Sequence, residues 1–159
     1  LYIRKTCPFR ERFDAVLLPK YIEATTPIFG ICRGLQSLGV YFGAKLIQDM
    51  WHETCKPDER SSKVHKAVLN RFTVTKIPNI TLGDFDINSL HHQVIDERTL
   101  PENIKILARY SPSKGPVAEN GTIEAISTWP EYPMHAVQWH PEEIYDRFSR
   151  ELITNLLNV

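Results

Sequence analysis

The apolar residues of this chain fall into short runs early and scattered alternating pieces later, with one long periodic stretch at the C-terminal end. Ala15-Val16-Leu17-Leu18, ending at Pro19, reads as a short buried parallel strand, and Ile28-Phe29-Gly30-Ile31 as the next. From 33 to 42 Leu35, Leu38 and Phe42 recur at helical spacing, and Gly43 ends that helix. Lys45-Leu46-Ile47 follows as a strand, and 51–62 is polar and aperiodic, a surface loop. Strand-like pieces at 63–69, 72–76, 104–110, 123–127 and 135–139 are separated by turn residues. Over 142–157, Ile144, Phe148, Leu152 and Leu156 recur every four residues, which predicts an amphipathic helix packed on a sheet. Strand–helix alternation followed by strand-rich sequence predicts an α/β fold in which helices cover the faces of a mixed sheet.

Composition changes this picture little. A chain of 159 residues with 42% hydrophobic residues fits one domain with a substantial core. Lys+Arg and Asp+Glu both number 19, so no net charge favours nucleic acid or an anionic membrane as partner. No apolar run approaches the ~20 residues of a membrane span, and the N-terminus lacks a signal-peptide pattern. Three cysteines argue against a disulfide framework and for a reducing, cytoplasmic setting, where Asn79-Ile80-Thr81 and Asn120-Gly121-Thr122 would be idle glycosylation sequons.

The chemistry concentrates at Gly30-Ile31-Cys32-Arg33-Gly34-Leu35-Gln36. A cysteine flanked two residues away on each side by glycine, between a strand and a helix, is the pattern of a nucleophile elbow. The helix N-terminus behind the sulfur should favour thiolate over thiol. Cysteine attack on a carbonyl needs a base held in the correct tautomer. Gln138-Trp139-His140-Pro141-Glu142 supplies one, because positions two apart on an extended segment share a side, and Pro141 holds His140 extended. Taken singly, His140 could be a surface histidine and Glu142 a helix-start carboxylate; the elbow upstream decides for the pair.

These two motifs, with Asn88-Ser89-Leu90-His91-His92-Gln93, resemble the class I glutamine amidotransferase domain. Within it they are most similar to the stand-alone γ-glutamyl hydrolase branch, peptidase family C26, which includes γ-glutamyl-γ-aminobutyrate hydrolase. The resemblance runs from about Phe13 to the C-terminus. It implies a flavodoxin-like, mostly parallel sheet and hydrolysis of a γ-glutamyl amide in a small-molecule substrate through a Cys32 thioester. His140 would be base and then acid, with Glu142 orienting it and the Arg33 N–H donating to the oxyanion. Gln36, Ser89, Leu90 and His91 would hold the glutamyl group. No metal or organic cofactor is implied; a glutaminase subunit serving a synthase partner would share the chemistry, and a homo-oligomer is compatible with it.

Two departures stand against the family pattern. No glycine pair follows the 13–19 stretch, and only eight residues, 20–27, lead from Pro19 into the nucleophile strand, whereas a parallel crossover needs a dozen or more. The expectation is therefore a single domain, 1–159, with segments lost near 1–12 and 19–22; the alternative is a truncated, inactive binding relative. Of the other histidines and cysteines, His52-Glu53-Thr54-Cys55 lacks the second histidine of a zinc helix, His65, His92 and His135 read as structural or solvated, and Cys7 and Cys55 as plain thiols. Trp51, Trp129 and Trp139 read as core or pocket wall, and Arg147 and Arg150 as a solvated helix face.

Overall fold

The computed structural model describes residues 7–48, 65–69, 84–110, 121–144 and 146–157. The order of elements is α1 (Pro8–Glu23), β1 (Ile28–Ile31), α2 (Arg33–Tyr41), β2 (Lys45–Ile47), β3 (His65–Leu69), β4 (Asp84–Ile87), β5 (Val94–Asp96), β6 (Lys105–Tyr110), β7 (Thr122–Ser127), β8 (Met134–Val137) and α3 (Arg147–Leu157). Six strands form one sheet in the order β1-β8-β7-β6-β3-β4, and β2 pairs with β5 apart from it. The fold is thus a mixed sheet flanked by helices. Among the described residues, parallel pairing is confined to β1 and β8; β8–β7, β7–β6, β6–β3 and β3–β4 are antiparallel.

Two cores lie on opposite faces. On one, Leu35 and Leu38 of α2 pack with Ile126 and Ala136; on the other, Leu152 of α3 packs with Ala125, Val137 and Trp139. Neighbouring side chains leave a strand on opposite faces, which divides Ala125 from Ile126 and Ala136 from Val137; a register shift between β6 and β7 puts Ile123 and Ala125, two apart, in different cores.

The strand expected at Ala15–Leu18 is instead the middle of α1. Leu18 and Ile22, about one helical turn apart, both reach the α2-side core. Pro8 stands at the start of α1, where its missing N–H costs nothing. Helix α1 then ends in a turn at Thr25 (φ 53°), which leads into β1 without a crossover. The C-terminal helix begins at Arg147 rather than at 142, because 140–144 closes as a turn (Glu143 N–H to His140 C=O, 3.1 Å) and the Asp146 side chain caps α3 through the Ser149 N–H at 2.7 Å. Strands β4 and β5 carry no apolar run long enough to announce them. The loop expected at 51–62, the strand at 72–76, His52, Cys55, Trp51, the sequon Asn79-Ile80-Thr81 and the asparagine of the other, Asn120, lie outside the described residues.

Candidate active site

The elbow is built by close backbone approach. A Cβ on Gly30 would sit 2.9 Å from the Gly34 carbonyl carbon and 3.0 Å from Ala136 Cβ, so only glycine lets β1 pass this close to α2 and β8. Cys32 takes φ 50°, a left-handed conformation rare for a side-chain-bearing residue. Its N–H donates to Val137 C=O at 2.7 Å, while its C=O accepts from Leu35 N–H at 3.1 Å to start α2. The nucleophile candidate is therefore fixed from both neighbouring elements.

Strand β8 runs parallel beside β1 with Ile31 opposite Val137, so the turns after both strands open on the same edge of the sheet. That edge gathers Cys32, Gln138, His140 and Glu142. His140 Nδ1 lies 2.7 Å from Glu142 Oε1, which leaves Nε2 to exchange a proton. Asn88 grips the backbone of His140 from both sides: its Nδ2 donates to His140 C=O at 3.1 Å and its Oδ1 accepts from His140 N–H at 2.8 Å. Asn88 opens the Asn-Ser-Leu-His motif, but a lone asparagine carries no signal in the sequence for a clamp reaching 52 positions along the chain.

The expected thiolate bias is opposed by the surroundings of the sulfur. Burial pushes the Cys32 thiol pKa up, and the Glu142 and Glu124 carboxylates add to the rise. The Arg33 N–H and the Gln138 amide oppose it without prevailing. A raised pKa favours the thiol, so attack calls for proton transfer to a base. The Arg33 side chain pairs instead with Asp14 of α1, whose carboxylate also accepts from Ser37 Oγ at 2.7 Å.

The residues expected to hold substrate are not placed alike. Leu90 is exposed, whereas Ser89 and His91 are buried. The His91 ring points inward, its Nε2 3.8 Å from Glu124 Oε1 and its Nδ1 3.2 Å from Gln93 C=O. Gln36 is also buried, and its Nε2 donates to Gln93 C=O at 2.9 Å and to Gln138 Oε1 at 3.3 Å. A cleft of about 590 Å³ opens between α1 and α2 beside the elbow, with Asp14, Arg33, Gln36, Ser37 and Val40 on its wall. His92 is exposed, His135 buried, Cys7 exposed, Trp139 buried, and Arg147 and Arg150 exposed.

A comparison with protein families matches residues 3–142 to Peptidase C26. The chain belongs to the peptidase C26 family. Members are enzymes of the cysteine-dependent amidotransferase and peptidase kind. This peptidase C26 chain is 32% identical over 162 aligned positions to the glutamine amidotransferase-like protein YvdE of Lactococcus lactis, an alignment covering 94% of the chain and 62% of YvdE. It is 31% identical to anthranilate synthase component 2 of Saccharolobus solfataricus, covering 87% of the chain and 63% of that protein. The chain thus spans less than two thirds of the length of either relative. Among solved structures, a glutamine amidotransferase from Thermotoga maritima superposes with a TM-score of 0.65 at 14% identity, over 99% of this chain and 71% of that one. One from Methylobacillus flagellatus gives 0.62 at 15% identity, over 97% and 53%. At such identities the likeness is one of fold.

Proposed function

We propose that this chain carries the catalytic domain of a cysteine-dependent hydrolase that cleaves a γ-glutamyl amide to glutamate and an amine. The observation that carries the reading is a cysteine in a strained elbow on the same sheet edge as an imidazole paired to a carboxylate. His140 Nε2 takes the Cys32 proton as the sulfur bonds to the amide carbon, and the Arg33 N–H donates to the oxygen that becomes negative. The imidazolium, steadied by Glu142, returns that proton to the departing amine. Water then attacks the thioester with His140 again as base, and glutamate leaves with the thiol restored. Ser89, Leu90 and His91 contribute to the glutamyl pocket through their main chain, and Gln36 stands at its wall. The reading needs no metal or organic cofactor and suits the cytoplasm. Residues 1–159 are read as one domain; the crossover that suggested a lost segment near 19–22 does not arise, because α1 runs unbroken through those residues.

Cys32→Ala should abolish release of glutamate from a panel of γ-glutamyl amides, including γ-aminobutyrate, amino-acid and polyamine conjugates, while circular dichroism stays native. Residual turnover above about one part in a thousand of wild type would remove Cys32 from this role. The second reading, a glutaminase subunit delivering ammonia to a synthase, draws on the likeness to anthranilate synthase component 2. Glutamine hydrolysis that rises sharply only on adding a synthase partner would favour it over the free hydrolase.

A further inference from the structure

A buried line of side chains meets the Cys32 sulfur from below. Gln138 lies one residue past the end of β8, its side chain wholly buried, and its Nε2 donates to Cys32 Sγ at 3.6 Å. An amide could equally present its oxygen to the sulfur, so something must set its orientation. Gln36 does so. Its Nε2 has two hydrogens, and the acceptors in reach are Gln93 C=O and Gln138 Oε1. With Gln138 Oε1 held by that donor, the Gln138 N–H₂ group faces the sulfur. The backbone of Gln138 is pinned as well, since its N–H donates to Glu124 C=O at 2.7 Å.

We propose that Gln138 is a catalytic residue that stabilises the Cys32 thiolate through its amide N–H, and that Gln36 is a positioning residue acting through Gln138 rather than on substrate alone. A thiol sulfur is a weak acceptor and a thiolate a strong one, so this hydrogen bond tightens when the proton leaves. It therefore offsets part of the burial that holds Cys32 as a thiol, in the low-dielectric surroundings where such a bond counts most. The inference rests on Cys32 as nucleophile. The charged and titratable groups around the sulfur are Glu124 on β7, His91 between β4 and β5, His140 and Glu142 beyond β8, and Arg33 on α2 with its partner Asp14 on α1. Neither glutamine titrates, so their substitution leaves that charge set intact.

The test is the pH profile of Cys32 alkylation by iodoacetamide, followed on the Cys32-containing peptide by mass spectrometry in the whole chain. Gln138→Leu should raise the alkylation midpoint by roughly one pH unit, slowing the reaction about tenfold at pH values below it. Gln36→Leu should raise it by less, and the Gln36→Leu/Gln138→Leu pair should match Gln138→Leu alone, because Gln36 has nothing left to orient. Shifts that add in the double variant, or no shift in Gln36→Leu, overturn the positioning role; no shift in folded Gln138→Leu overturns the whole inference. If Gln138→Leu fails to fold, Gln138→Met is measured in its place and judged by the same midpoint. Alkylation needs no substrate, so a wild-type chain that hydrolyses no γ-glutamyl amide defeats the proposed function while this profile still decides the coupling.

Discussion

Adding one methyl group at Gly30 probes the elbow more directly than removing the nucleophile does. In Gly30→Ala the new Cβ would lie 2.9 Å from Gly34 C, 3.0 Å from Gly34 O and 3.0 Å from Ala136 Cβ. Carbon atoms rest about 3.5–4.0 Å apart, so the neighbours must retreat by roughly 0.5–1 Å. Two of the three atoms are backbone of α2 and the third is a β8 methyl; none sits on a long side chain that could swing aside. Overpacking of this kind costs about 1–3 kcal/mol, which for a domain of this size lowers Tm by roughly 2–10 °C. The same displacement moves Cys32, two residues on, relative to the turn after β8, and a misplacement near 1 Å costs about a hundredfold in rate. Gly34→Ala is the control: outside its own stretch of helix no described atom lies within 4 Å of its would-be Cβ, and the residue is helical, so stability should hold or rise by up to about 1 kcal/mol. Thermal melts by circular dichroism with γ-glutamyl hydrolysis on the same samples read both effects. A Gly30→Ala chain melting within a degree of wild type at full activity would refute the close-approach account of the elbow.

Asn88→Ala removes both bonds that hold the His140 backbone and should cost about 1–3 kcal/mol. Its kcat should drop by more than the stability loss explains, measured well below the melting range; unchanged kcat would show that the clamp does not orient the imidazole. Glu124, buried on β7, has its pKa raised from 4.5 to about 8 by desolvation, against a Thr122 hydroxyl that donates to it at 2.8 Å. The folded protein thus keeps a proton that the unfolded chain releases, so this stabilisation is complete below pH 4.5 and lost as pH rises through 8. His135 works oppositely: burial lowers its pKa from 6.5 to about 4, so its contribution is complete above 6.5 and fades as pH falls towards 4. Between pH 6.5 and 8 Glu124 should cost about 1–2 kcal/mol of stability, seen as a falling Tm, and Glu124→Gln should flatten that interval. A wild-type Tm that climbs across it, with no response to the substitution, would contradict a neutral Glu124.

The elbow and the His140–Glu142 pair were legible because each rests on local rules: glycine spacing around Cys32, and alternation on an extended segment ended by Pro141. Most strands were legible for the same reason. The 15–18 run misled because four apolar residues in a row suit a buried strand and a helix equally. The segment is a helix that packs Leu18 and Ile22 into the core shared with Leu35 and Leu38 of α2, a tertiary partner that no local pattern encodes. The roles of Asn88, Gln138 and Glu124 were hidden likewise. Amide and carboxyl side chains become clamps or proton holders only when burial removes water and brings one partner within reach.

By itself the amino-acid order determined the kinds of element, the tight turn at Cys32 and the chemistry on offer, since these depend on backbone sterics and on spacings of a few residues. Tertiary structure alone decided that β1 and β8 lie parallel, that their turns share an edge, and that the sulfur is buried beside a glutamine, which pushes its pKa up. The physical reason is range. Sterics and side-chain periodicity act between near neighbours in the chain, whereas desolvation and hydrogen-bond partnership depend on which distant segments exclude water together.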